Sequence, residues 1–500
     1  MCEAWRHLDG AERSLEEAVE VAIGMLQGGW QPHEIPCSWD KSELGMRDHA
    51  LASLPAHLVE QVHALEQEAA LPQRRKLRVT PSSGVRIATV DLSDRFPSVE
   101  GPTTQTTPAN RTAIYSAIAA DVASGVLERG EIRVTGRLFL GPKSRPLYDA
   151  ETLNDVIPQT DRTVKYGSVA DLVATPGAVA SKLDLKSAFR SITVDPRDRP
   201  LLGVVVDGTR LRYARLPFGL ATSPRIFVEA LRRSLDEVVL PSGTAVVEYV
   251  DDIAITSPTP ADCLDATIRV MRRLIDDGWR VACTKSFARP TEDLLFLGLH
   301  LDVKDKRAAL TESRRDRLIR DVEWVRNQRH GWRTVLQKVL GVVAWAAPAM
   351  RGAGFLAPPC YRAVREGRWD GEAADALDVL ERIIQHSTTP RRLGHPARLI
   401  DVVTDAGDGT WCAALCEAGI VTAVHRGTLV EEARTWSSTA REALAVAEAV
   451  RAFALPILDE VGVHVTTDSA ALTAIINRGR TRAVGVTKAF ADRKSTRLNS

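Results

Sequence analysis

The chain has 500 residues, with 65 Lys and Arg against 64 Asp and Glu, and a formal net charge of +1. That length excludes a single small domain, and the balanced charge excludes nucleic-acid binding through a basic bulk, leaving only local concentrations of charge. Apolar content is 44%, no apolar run is long enough to span a membrane, and seven scattered cysteines without metal-site spacing exclude a disulfide scaffold.

No secretory pattern opens the chain, since Met1-Cys-Glu-Ala-Trp-Arg runs into acidic and polar residues. With the cysteine usage this points to an intracellular, reducing compartment, cytoplasmic or nuclear, and to no membrane partner. Residues 15–26 and 57–71 carry helical apolar periodicity. Residues 81–110, rich in Pro, Ser, Thr and Gly, read as a linker. A helix is predicted from Thr112 to about Leu127, with Ile114, Ile118 and Val122 on one face. The stretch from Gly130 to Asn154 follows, carrying Lys143, Arg145 and Asp149.

Gly177-Ala-Val-Ala-Ser-Lys-Leu reads as a strand that ends near Asp184, with Leu185 and Phe189 just beyond. In Leu216-Pro-Phe-Gly-Leu-Ala-Thr-Ser-Pro-Arg-Ile-Phe227, Gly219 permits close backbone approach to a ligand. Ser223 suits an N-cap and Pro224 a first helical position, opening a helix towards Leu240 with Phe227, Ala230, Leu231 and Leu235 inward. The β-branched runs 244–248 and 253–256 flank Tyr249-Val250-Asp251-Asp252, which reads as a hairpin with two carboxylates at its turn. Alone, such a pair is ordinary solvated turn chemistry. Together with Asp184 it makes three carboxylates on neighbouring strands, a set that can hold two hard cations about 4 Å apart for in-line phosphoryl transfer.

A further helix is predicted over 260–277, with Leu264, Ile268, Met271 and Ile275 on one face and Gly278 closing it. Arg280 to Lys285 reads as a strand leading to a lysine. Between Thr311 and Lys338 stand eight basic residues against four acidic ones. That run is either a solvated helix face or a phosphate-gripping one.

The ordered set LDLKSAF, LPFGLATSP, YVDD and TKS…FLGL resembles the reverse transcriptases of retroelements, with 67 residues between Asp184 and Asp251. The resemblance implies an α+β right-hand polymerase of fingers, palm and thumb. It makes Asp184, Asp251 and Asp252, with Leu185 beside them, a site for two Mg2+ ions, with Mn2+ as a substitute. It also implies that Lys143 and Arg145 reach the incoming triphosphate and that Phe189 is the steric gate beneath the deoxyribose. Phe218 and Gly219 would lie beside the nucleotide, and Lys285 near the departing pyrophosphate. Leu294 to Leu301 resembles the primer-grip hairpin, and 336–354 is more similar to DIRS-like and gypsy-like elements than to retroviruses. One departure stands out: Glu151 occupies a position where the family often has arginine.

The C-terminal part resembles an α/β ribonuclease H-like domain of such elements. Three strand-like stretches, a helix, a strand and a helix place Asp405, Glu442 and Asp468 at strand ends and in a helix, implying two more Mg2+ ions. The expected division is 1–107, an N-terminal helical segment and linker open between capsid-like remnant, fingers extension and spacer; 108–310, fingers and palm; 311–395, helical thumb and connection; and 396–491, ribonuclease H-like. Implied partners are an RNA or DNA template with primer, deoxynucleoside triphosphates and an RNA–DNA hybrid; oligomeric state stays open. The rival readings are a non-LTR or group II intron type polymerase, and a decayed or domesticated product that only binds nucleic acid.

GATCGGAAGAGCACACGTCTGAACTCC, a sequencing-library adapter, translates to the same nine residues as 492–500, Asp-Arg-Lys-Ser-Thr-Arg-Leu-Asn-Ser. The expectation is that the natural C-terminus is missing. The ribonuclease H-like domain would then be truncated, with an exposed apolar sheet face and a metal site one carboxylate short.

Overall fold

The computed structural model describes residues 20, 55–70, 77–141, 146–174, 177–346, 349–350, 353–392, 398–417, 420–429, 431–453 and 461–478. Two compact units divide the described residues, the first running to Thr291 and the second from Glu292 on. The first contains, in order, α1 (Ala56–Ala70), α2 (Arg111–Ala123), β1 (Leu127–Glu128), β2 (Thr135–Leu140), β3 (Pro146–Asp149), β4 (Val179–Asp184), β5 (Gly203–Val206), β6 (Thr209–Tyr213), α3 (Ser223–Leu235), β7 (Ala245–Tyr249), β8 (Asp252–Ser257), α4 (Pro260–Asp277) and β9 (Phe287–Thr291).

Its two sheets have the orders β1-β6-β5-β2-β3 and β7-β8-β4-β9. In the second, the antiparallel palm sheet, β4 and β8 are central and almost wholly buried, which is why Ile253-Ala-Ile reads as a continuous apolar run. Helix α4 packs beneath them. Thr259 caps it by accepting from the Asp262 N–H at 3.1 Å, and Gly278 ends it at φ +93°. Leu264, Ile268, Met271 and Ile275 are all buried, as their spacing predicts.

Trp279, immediately after that cap, is fully buried. Its indole N–H donates to Ser234 Oγ at 2.8 Å and its ring meets Phe227 edge-on at 5.6 Å. Trp279→Ala is expected to lower the unfolding free energy by about 3–5 kcal/mol, measured by urea denaturation. A loss under about 1 kcal/mol would mean that the site collapses freely.

Three expectations are corrected in this unit. The stretch read as a linker, 81–110, is part of the core: Ile87, Leu92 and Phe96 are buried with the palm. It runs extended along strand edges, bridging Val85 to Val194, Glu100 to Val134 and Thr104 to Val206. The Asp198 carboxylate accepts the Ile87 N–H and Arg86 Nε, both at 2.8 Å. Composition cannot distinguish a solvated linker from extended chain that completes its hydrogen bonds on a neighbouring edge, so the boundary at 107 falls inside packed structure. Second, Ser223 is the first helical residue rather than the cap. Its hydroxyl donates back to the Pro217 carbonyl at 2.7 Å, and the helix ends at Leu235, not Leu240. Third, Arg280 to Lys285 is no strand: only Val281 bridges, to Leu185, and Lys285 sits in a turn closed by its own N–H on the Ala282 carbonyl.

The second unit opens with β10 (Asp293–Phe296), β11 (Leu299–Asp302) and β12 (Arg307–Leu310), then α5 (Glu312–Arg326), α6 (Trp332–Trp345), α7 (Ala353–Glu366), α8 (Gly371–Gln385) and β13 (Arg391–Arg392). Strands β10 and β11 form the hairpin expected at 294–301, turning through Leu297 (φ +54°) and Gly298 (φ +78°). Because β12 pairs with both β11 and β13, these strands belong to the second unit, and the division falls at 291/292 rather than 310/311. Much of the basic run is engaged locally. Arg326 pairs with Asp378 and Glu381, Arg315 with Asp316, Arg333 donates to the Val364 carbonyl, and Arg314 and Arg329 lie over Trp345 and Trp324.

The unit continues with β14 (Arg398–Ala406), β15 (Thr410–Glu417), β16 (Ile420–Thr428), α9 (Ser438–Ala452), β17 (Val461–Thr466) and α10 (Ala470–Arg478). The sheet order is β16-β15-β14-β17, with β17 parallel to β14 and the other pairs antiparallel. The small residues Ala440, Ala443 and Ala449 let α9 lie close on Val402, Trp411 and Ala413. On the opposite face Val403, Ala414 and Val424 stand in one row across three strands, with Val403 42% and Val424 60% exposed. Asp401, Asp405, Cys412 and Arg426 share that face, so it is mixed rather than apolar among the described residues; 479–500 lie outside them.

Candidate active sites

Three carboxylates gather at one end of the palm sheet. Asp184 is the last residue of β4, and its direct antiparallel partner is Asp252, the first residue of β8. Asp251 occupies the two-residue turn between β7 and β8, after Val250 at φ +54°. A β-branched residue in that region costs on the order of 1–3 kcal/mol. The turn is held by the Leu185 N–H, which donates to the Asp251 carbonyl at 2.9 Å, and by Tyr249, whose ring meets Tyr166 at 5.3 Å. The Asp184 N–H donates to Ser286 Oγ at 3.0 Å.

Burial pushes the carboxyls of Asp184 and Asp251 above the usual carboxylate range, and the neighbouring aspartates add to this. Two ammonium groups counter the crowding. Lys285 Nζ lies 3.3 Å from Asp184 Oδ1, and Lys182 Nζ lies 2.7 Å from Asp252 Oδ1. An all-oxygen donor set at adjacent strand ends fits hard divalent cations.

Beside the carboxylates runs a line of aromatic rings. Phe189, 7% exposed, meets Phe218 edge-on at 4.9 Å and Phe227 at 5.0 Å; Phe218 is 40% exposed. Gly219 makes its close approach to the chain itself: at φ +97° a Cβ there would lie 1.8 Å from the Tyr148 carbonyl oxygen. The need for glycine is therefore met within the protein, without a ligand.

Residues 147–301 match the family described as "Reverse transcriptase (RNA-dependent DNA polymerase)". The Gag-Pol polyprotein of koala retrovirus is 28% identical over 231 residues, covering 44% of this chain and 13% of that protein. The Pol polyprotein from transposon gypsy of Drosophila melanogaster is 33% identical over 164 residues, 32% of this chain and 15% of its own length. Among solved structures, the foamy viral protease-reverse transcriptase in complex with dsDNA has a TM-score of 0.56 at 16% identity, covering 89% of this chain and 92% of that one. The same protein in complex with RNA/DNA hybrid also scores 0.56, over 93% and 64%. This chain carries a retroelement reverse transcriptase domain. It spans less than a fifth of the length of these two polyproteins.

Lys143 and Arg145 lie outside the described residues. Leu185 has a buried side chain, so only its backbone carbonyl is chemically able to ligate. Lys285 is exposed at the rim. Asn154 was not singled out from the sequence, yet its side chain donates to the Gly219 carbonyl at 2.9 Å and accepts the Ala221 N–H at 2.8 Å. That amide fastens the Phe218 loop to the fingers. The signal was its place at the end of the same motif as Glu151.

A second carboxylate set lies at the sheet β16-β15-β14-β17. Asp405 in β14, Glu442 in α9 and Asp468 just after β17 each bring an oxygen within 4.8 Å of the others. Asp405 and Asp468 are exposed and Glu442 is buried. Glu442 accepts the Ala406 N–H at 2.8 Å and the Thr467 hydroxyl at 3.1 Å, which fixes its direction. Burial raises its pKa while those two hydrogen bonds oppose the rise. The convergence of three oxygens fits a hard cation.

Proposed function

We propose that this chain is an RNA-directed DNA polymerase of a retroelement, extending a primer 3′-hydroxyl with deoxynucleoside triphosphates on an RNA or DNA template. The observation that carries the reading is the direct pairing of Asp184 with Asp252 across β4 and β8, with Asp251 in the adjoining turn. Asp184, Asp251 and Asp252 would hold two Mg2+ ions, for which Mn2+ substitutes; when bound, these supply activation of the hydroxyl and neutralisation of the triphosphate. Phe189, backed by Phe227, presents its ring beneath the sugar and leaves no room for a 2′-hydroxyl. Lys285, exposed beside Asp184, would protonate the departing pyrophosphate. Lys143 and Arg145 would grip the triphosphate.

Asp405, Glu442 and Asp468 would hold two further ions of the same kind against an RNA–DNA hybrid. We take the trio to bind metal without efficient cutting, since three carboxylates and no fourth converge there among the described residues. No disulfide links the described cysteines, which supports a reducing, intracellular setting.

The test is primer extension on an RNA template with Mg2+ and dNTPs. Template-directed DNA products support the polymerase. Tight template-primer binding with no extension at any Mg2+ or Mn2+ concentration would favour the rival, a product that only binds nucleic acid.

A further inference from the structure

Lys182 has no role in the reading above, although its side chain points into the palm site. It sits two residues before Asp184 on β4, a strand otherwise apolar or small: Val-Ala-Ser-Lys-Leu-Asp. Two residues along a strand place side chains on one face, so Lys182 shares the face of Asp184. Its backbone pairs with Ala254, and its ammonium reaches diagonally to Asp252 Oδ1 at 2.7 Å. Both side chains are mostly shielded, 16% exposed for Lys182 and 22% for Asp252.

The ribonuclease H-like trio provides an internal contrast. There the carboxylate oxygens stand within 4.8 Å of one another, and among the described residues no other His, Cys, Asp or Glu group meets that criterion. The palm aspartates do not, although they come from adjacent strand ends. The difference has a physical cause in view: Asp252 is turned to one ammonium and Asp184 to another. A carboxylate that already has a cation partner gains less from a second one.

We propose that Lys182 is a positioning residue for the palm site, a built-in counter-cation that holds Asp252 until a divalent cation displaces it. The inference rests on the polymerase reading, since it takes the palm aspartates to be metal ligands. Lys182 thereby sets the metal concentration at which the palm loads.

The experiment is Mn2+ binding to the full chain by electron paramagnetic resonance, in an Asp405→Asn, Asp468→Asn background that silences the second carboxylate set. Lys182→Met, which keeps the apolar stem, is expected to tighten palm Mn2+ binding about fivefold, and Lys182→Arg to stay near the parent. Adding Asp252→Asn to the parent and to Lys182→Met is expected to remove the difference between them, because the effect passes through that carboxylate. Thermal melts establish that each variant is folded. Unchanged or weaker binding by Lys182→Met overturns the proposal, as does equal tightening with Asp252→Asn, which would mark a general field effect. Loss of Mn2+ binding on adding Asp184→Asn and Asp251→Asn ties the signal to the palm. If those two substitutions change nothing, the polymerase reading of the palm fails first and takes this inference with it.

Discussion

Asp251→Asn is expected to reduce primer extension by at least about a thousandfold while leaving template-primer affinity within about threefold. The substitution keeps the shape of the turn but exchanges a carboxylate oxygen for a neutral amide. Asp251 is the carboxylate that β7 and β8 carry out on the turn itself, with its backbone carbonyl tied to Leu185 N–H. The peptide geometry survives the change, so the loss is one of charge and ligation. Template-primer binding rests on phosphate contacts spread over many residues and does not depend on this group. Steady-state extension and an equilibrium binding measurement on one preparation separate the two. Substantial extension by the variant would sink the assignment of the palm site.

Phe189→Ala is expected to raise ribonucleotide over deoxynucleotide incorporation by at least about tenfold and to cost about 3 kcal/mol of stability. Both effects follow from one position. The ring is 7% exposed and packed on Phe227, so truncation leaves a cavity; it also meets the exposed Phe218, so truncation opens the side expected to face the sugar. Single-nucleotide incorporation with each substrate gives the ratio, and a thermal melt gives the stability. A melt that falls while the ratio stays constant would make Phe189 core filling and remove it from the nucleotide site.

The carboxylate positions were legible because each is announced locally. Asp184 ends an apolar run, and Asp251 and Asp252 interrupt two β-branched ones. Asp405 and Asp468 each close a strand-like stretch, while Glu442 sits early in a helix pattern. Strand ends are where side chains leave a sheet, so periodicity alone puts such residues at an edge. The failures share a different character. The stretch 81–110 looks like a linker because extended chain needs no periodicity when its partners are distant strand edges. Ser223 has the right chemistry for a cap, but its hydroxyl turns to Pro217. The strand expected at 280–285 reduces to one bridge, since Cys283 to Lys285 turn away before β9 begins.

By itself, then, the sequence determined the order of the elements, the apolar faces of α3 and α4, and the identity of both acidic sets, all of which depend on spacing within short windows. Tertiary structure alone decided which groups meet. The pairing of Asp184 with Asp252 in register, the approach of Glu442 from a helix to two strand ends, the clasp of Asn154 on Gly219 and the ion pair of Lys182 with Asp252 join residues far apart in the chain. Lys182 was not singled out from the sequence, because nothing in the local chemistry of residues 179–184 states which carboxylate the fold will bring within reach.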